Sequence, residues 1–393
     1  MSAQHRRNYN GPALLSGGFR PFFLFGALFS GLSMLLWLPM LHGELQLATQ
    51  FAPVDWHTHE LFFGYVAAVI TGFLFTAVPN WTGRMPVRGR PLLLLLLLWV
   101  AGRLAIAVSA TIGWVAAMVI DLSFLASICA VIANEIIAGR NWRNLKVLVP
   151  VTVLLAANVL FHLEVQQSGV SGFSRRLALA AIIALIMLIG GRIVPSFTRN
   201  WLVRENPGRL PAPFGRFDLL AMTAAIAALA FWVAQPSGGL AGILLVLAAL
   251  MQFARLGRWA GDRTLREPLV TVLHLSYLFI PVGLALLAAA AIWPGTVSPL
   301  AGIHALGAGA IGGMTLSVMV RATLGHSKQP LTSDWVVNVL FACVYAAALA
   351  RILAALDIGP REILLHLSAF AWLAAFGGFG LRFLPLFLRP RPA

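Results

Sequence analysis

The chain has 393 residues, of which 60% are hydrophobic and only 10% charged, with a mean hydropathy of +0.86. That composition excludes an ordinary soluble enzyme and describes an integral membrane protein. The net charge of +15 would suit nucleic acid, but its distribution along the chain points to membrane orientation instead.

Apolar runs long enough to cross about 30 Å of hydrocarbon, near 20 residues each, fall at 18–42, 58–80, 90–109, 112–138, 145–164, 174–196, 216–235, 238–258, 268–292, 299–322, 334–356 and 361–387. They make an all-α protein of twelve transmembrane helices in a single domain, 1–393, with links too short for a soluble module. The polar head Met1 to Asn10 enters an apolar run too long for a signal-peptide h-region, so the first span is expected to stay. With the N-terminus inside, most of the 28 Lys and Arg residues fall in the head, the tail and the inner links, as the positive-inside rule requires. Both termini are therefore expected in the cytoplasm, with the lipid bilayer as a partner and no nucleic acid.

The first span opens on Gly17-Gly18-Phe19-Arg20-Pro21 and closes at Pro39 and His42. The second begins at Trp56-His57-Thr58-His59-Glu60 and ends at Pro79-Asn80-Trp81. Ile70-Thr71-Gly72, Ile189-Gly190-Gly191 and Ile311-Gly312-Gly313 look like one element used three times, at offsets of 119 and 122 residues, and Arg103 and Arg351 are 248 apart. Repeats of this kind suggest three pseudo-symmetric four-helix segments, about 14–140, 141–260 and 261–393, although chance similarity is common in apolar sequence. Three arcs of four helices are the plan of haem–copper oxidase catalytic subunits and their nitric oxide reductase relatives. The likeness is one of fold only, and it has a misfit: those enzymes carry metal-binding histidines in spans six and seven, where this chain has none.

Six of the nine histidines, His42, His57, His59, His162, His304 and His366, fall near the outer surface, while His5, His274 and His326 belong to the inner side. Two positions apart, His57 and His59 would point about 200° apart on one helix. They therefore either serve different centres or straddle a loop. Gly64, Ala68 and Gly72 form a strip without bulk beneath His57, which suits either close helix packing or a flat macrocycle. His162 has Asn158 one turn before it and Glu164 two residues on, so a partner for its ring is at hand; His304 sits among small residues. His57, His59, His162 and His304 are the candidate metal ligands, and these four with His366 are the candidate haem ligands. His42 reads as an interfacial loop residue, His274 as a packed core histidine and His326 as solvated.

Arg103 and Arg351 share the leaflet of the outer histidines and are the candidate partners of haem propionates, for which the guanidinium fork is suited; snorkelling explains either one equally well. Asp121, mid-depth in the fourth span, and Glu60 are acids in the hydrocarbon region and hence functional candidates for proton supply or a polar contact. Cys129 and Cys343 read as small packing residues. There is no phosphate-cradling loop and no Cys-x-x-Cys-His attachment site, so any haem would be non-covalent.

At several of these stretches the chain resembles the NnrS family of bacterial membrane proteins. The likeness is carried by Ser16 to Phe23, His57 to Gly64, Thr76 to Gly83, Asn141 to Asn144, Gly190 to Asn200, Arg266 to Leu269 and Met319 to His326, and it runs over about residues 14–385. The resemblance implies a twelve-span protein of the bacterial inner membrane that contains haem and copper and protects against nitric oxide. Joined to the residue reading, it favours haem b with copper or non-haem iron, reduction of two nitric oxide molecules to nitrous oxide, and an external electron donor, quinol or cytochrome c. Binding of nitric oxide without turnover, or buffering of metal or haem, is the alternative, and transport is a third. Reporter fusions at the two ends should both report a cytoplasmic location; a periplasmic signal from either would reverse the orientation.

Overall fold

The computed structural model describes residues 9–390. The expectation that His5 lies on the inner side falls on the head and is outside the described residues. Among the described residues, twelve helices are long and apolar enough to cross a membrane: α1 Phe19–Leu41, α2 Pro53–Thr82, α3 Arg90–Ala107, α4 Trp114–Ala138, α5 Trp142–Ser168, α6 Phe173–Glu205, α7 Arg216–Ala234, α8 Gly239–Arg263, α9 Pro268–Ile292, α10 Pro299–His326, α11 Trp335–Ala355 and α12 Arg361–Leu388. The chain is therefore an all-helical, multi-pass membrane protein. Hydropathy locates the spans well, because lipid contact demands apolar residues over the whole crossing. It places their ends less well. Helix α2 begins five residues before the expected start because Pro53 opens it, a position where the missing N–H and fixed φ of proline are no handicap.

Two helices depart from regular α geometry in a way hydropathy cannot report. Glu60–Val66 in α2 and Ala305–Gly312 in α10 are wide π-helical turns. Each follows directly on a histidine, His59 or His304. Such turns are frequent at functional positions.

The chain divides into two compact units, Met1–Arg175 with Met319–Pro330 and Phe376–Ala393, and Arg176–Val318 with Leu331–Ala375. In the first, α1 packs on α2, α3 on α4, and α4 on both α2 and α5. Arg20, buried at the start of α1, donates from Nη1 to the carbonyls of Phe387 (2.9 Å) and Arg389 (2.7 Å). It thereby supplies donors that the C-terminal end of α12 lacks. In the second unit, the buried Arg255 reaches Asp218 at 3.3 Å and donates to the Tyr277 hydroxyl at 2.8 Å, which donates to Gln252 at 2.8 Å.

The small-residue strip of α2 is filled by protein. A Cβ at Gly72 would lie 2.6 Å from the Phe23 ring and 3.3 Å from the Phe19 backbone, and Ala68 meets Gly26. At Gly64 it would lie 2.8 Å from Arg103 and 2.9 Å from Phe29. Close helix packing thus accounts for this face. Gly72→Leu should overpack the α1–α2 contact and destabilise by about 1–3 kcal/mol, seen as a lower thermal unfolding temperature in detergent; an unchanged temperature would mean the helices do not approach this closely.

Candidate functional site

The first turns of α2 are anchored on both sides. Asp55 accepts from the Ser171 backbone N–H at 3.2 Å and from the Ser171 hydroxyl, which ties α2 to the α5–α6 link. Beyond Glu60, the Trp99 indole N–H of α3 donates to the Gly64 carbonyl at 2.9 Å, inside the π turn. The segment between these anchors carries both histidines, and they part company as their spacing requires. His57 is half-buried and stacks on Trp37 with ring centroids 4.3 Å apart. His59 is fully buried.

Around His59 a closed polar network joins α2, α3, α4 and α5. Its Nδ1 lies 3.0 Å from Glu60 Oε1, and its Nε2 lies 3.1 Å from Asn158 Oδ1 and 3.3 Å from Asp121 Oδ2. His162 Nε2 is also 3.3 Å from Asp121 Oδ2, to which the Asn158 amide donates at 2.7 Å. Arg103 spans the two acids. Its Nη1 donates to both Glu60 oxygens at 2.8 Å, and its Nη2 donates to Asp121 Oδ1. Gly102, beside it, lets α3 approach Asp121 of α4, since a Cβ there would lie 3.3 Å from the Asp121 Cα.

The network sits inside an aromatic shell. Phe51, Phe63 and Phe161 surround the His59 ring at centroid distances of 5.0, 5.0 and 5.3 Å, and Phe51 reaches His162 at 5.4 Å. Charges in such surroundings attract one another far more strongly than in water, and leaving any of them unpaired is correspondingly costly. One ligand atom from each of His59, Asp121 and His162 lies within 4.8 Å of the others, which is close enough for a shared metal ion.

Several expectations are refined by this geometry. Asp121 meets two histidines and Asn158 as well as Arg103, so it is a member of the cluster and not an isolated acid. Arg103 has both terminal nitrogens committed to carboxylates of its own chain. Glu164, expected to partner His162, instead collects the backbone N–H groups of Gly172 (3.0 Å), Phe173 (2.8 Å) and Ser174 (2.9 Å) with the Ser174 hydroxyl. It caps the start of α6, and Asp121 takes the place at His162.

His304, His366, Arg351 and His274 belong to the second unit. His304 and His366 are half-buried, with Nδ1 at 2.7 Å from the Leu300 carbonyl and 2.8 Å from the Glu362 carbonyl. Arg351 is half-buried and makes no hydrogen bond or ion pair among the described residues. His274 is a core histidine held by Thr198 at 2.7 Å, as expected. The Asp218–Arg255 pair escaped the sequence reading, although a charge within an apolar run was a signal for Arg255 as it was for Asp121.

The family model described as NnrS protein matches residues 13–391, nearly the whole chain. No curated protein matches it.

Arg103→Met would leave Glu60 and Asp121 as buried acids without their shared cation. Breaking a buried pair in this way costs about 3–5 kcal/mol, so little folded protein should elute in detergent. Arg103→Met/Glu60→Gln should recover part of the loss. Equal thermal stability of the single variant and the wild type would show that the ion pairs contribute nothing.

Proposed function

The chain belongs to the NnrS family, and on that premise we propose that it removes nitric oxide in the bacterial inner membrane by the reaction 2 NO + 2 e⁻ + 2 H⁺ → N₂O + H₂O. Membership is itself consistent with a role in the nitric oxide response. The observation that carries the reading is the buried His59–Glu60–Arg103–Asp121–His162 network. Ionic groups at this depth are expensive, and as a rule they mark function and not stability. Nitric oxide is small, neutral and apolar, so it can reach a centre of this kind through lipid and an aromatic shell that hinders ions.

A metal held by His59, His162 and Asp121 would supply one-electron chemistry and a binding position for nitric oxide. The chain's own groups do the rest. Glu60 orients the His59 ring, Arg103 fixes both carboxylates, and Phe51, Phe63 and Phe161 keep bulk water away. For haem b, the strip beneath His57 does not fit, since Phe23, Phe29 and Arg103 fill it. We instead assign haem b to α10 and α11, and three features support this: the Leu300 carbonyl orients His304 through Nδ1, a Cβ at Gly307 would meet nothing within 4 Å, and Arg351 has a guanidinium to offer a propionate. We take electrons to come from quinol or cytochrome c, both termini to be cytoplasmic, and the helices to form three arcs of four.

A second reading, binding without turnover, has its own support: Glu60 and Asp121 are both tied to Arg103, which does not favour either as a proton carrier. Turnover and binding separate in one assay. Protein in proteoliposomes with a competent reductant should consume nitric oxide and release one nitrous oxide for every two molecules consumed. Stoichiometric binding without nitrous oxide would favour the second reading, and neither binding nor consumption would remove nitric oxide from the function.

A further inference from the structure

The two 3.3 Å separations at Asp121 Oδ2, to His59 Nε2 and to His162 Nε2, are long for charge-assisted hydrogen bonds, which favour about 2.7–2.9 Å. They suit a different relationship. Nitrogen and oxygen ligands bonded to one first-row metal at roughly 2.0–2.2 Å stand roughly 3–3.5 Å apart.

Two independent features agree. Glu60 accepts at His59 Nδ1, and Arg103 holds Glu60 in turn. This is the carboxylate–histidine–metal arrangement that fixes a ligating ring with its other nitrogen forward. The charge count also leaves room for a cation, because one guanidinium faces two carboxylates inside an aromatic shell, and the second negative charge is met by a proton on His59, which touches both acids, or by a metal ion that replaces it.

We infer that His59 Nε2, His162 Nε2 and Asp121 Oδ2 form a mononuclear non-haem ferrous iron site, with Glu60 and Arg103 as positioning residues and a remaining coordination position for nitric oxide. The donor set and the chemistry together choose the metal. Two imidazoles and one carboxylate with open positions hold non-haem Fe(II) or Zn(II), and of these only iron supplies the one-electron chemistry of the proposed reaction, whereas Cu(I) favours the thiolates or thioethers that this ligand set lacks. The inference rests on the nitric oxide reading for what the metal does, but not for whether it binds.

The test uses the full-length protein in detergent, stripped of metal and then given ferrous iron or copper alone under anaerobic conditions. Equilibrium dialysis with elemental analysis should find about one iron per chain. His162→Gln leaves the Arg103 ion pairs intact and should abolish binding while eluting as the wild type does. Glu60→Gln should weaken it about 10–100-fold. Because a variant that misfolds would also lose metal, the wild type carries a second readout. Its iron treated with nitric oxide should give the high-spin ferrous nitrosyl EPR signal, coupled to two imidazole nitrogens in pulsed EPR.

Failure to bind iron, unchanged binding in folded His162→Gln, or absence of the imidazole couplings would overturn the site. Under reducing conditions, Cu(I) bound in preference to Fe(II) would overturn the choice of metal. Iron bound normally by a protein that does not consume nitric oxide would sink the reductase reading and leave the site standing. Undiminished consumption by iron-free protein would leave the reductase reading standing and overturn the part given to this iron in it.

Discussion

A single guanidinium holding two carboxylates in an apolar interior is the constraint on which the first unit depends. Arg103 meets Glu60 from α2 and Asp121 from α4, so three helices must meet in one register before all of these charges are satisfied. In lipid there is no water to relieve a misfit. The network therefore specifies the arrangement of α2, α3 and α4 more sharply than apolar packing alone would, and it delivers two imidazoles from α2 and α5 to the same carboxylate.

The small residues serve this constraint. Gly102 brings α3 against Asp121, and Gly64 leaves the space that Arg103 and Phe29 occupy. The π turn that begins at Glu60 is held to α3 by Trp99, so the same helix that supplies the cation also secures the irregular segment beside the histidine. Packing, ion pairing and the local departure from α geometry are in this sense one device with one outcome, a fixed His59 ring.

How much of this the sequence discloses depends on the range of the signal. The twelve spans are legible because each is a continuous property of about 20 residues. The divergence of His57 and His59 is legible from helical periodicity alone. Asp121 and Glu60 stand out as acids in apolar surroundings, but their partners are far along the chain, and nothing local to Asp121 announces that His59 and His162 converge on it. Glu164 shows the opposite error: its nearness in sequence to His162 suggests a pairing, yet the unsatisfied N–H groups at the start of α6 are the stronger claim on it. The π turns leave no trace in hydropathy, since the hydrophobicity of the segment is unchanged.

Helices α2 and α10 show how one local plan can be put to different use. Both begin with a proline, carry a histidine within the first turns and pass directly into a π turn, and the recurring glycine motifs place them roughly two repeat lengths apart. Beyond that they differ at the residues that matter for charge. After His59 stands Glu60, and Arg103 answers it; after His304 stands Ala305, and Arg351 meets no acid among the described residues. On the proposed reading, the glutamate goes with a compact metal ion beside an ion pair, and the alanine, with Gly307 where a Cβ would meet nothing within 4 Å, goes with a larger anionic group. The helical plan is shared, and the difference lies in the charged partners that His59 and Glu60 meet from α4 and α3.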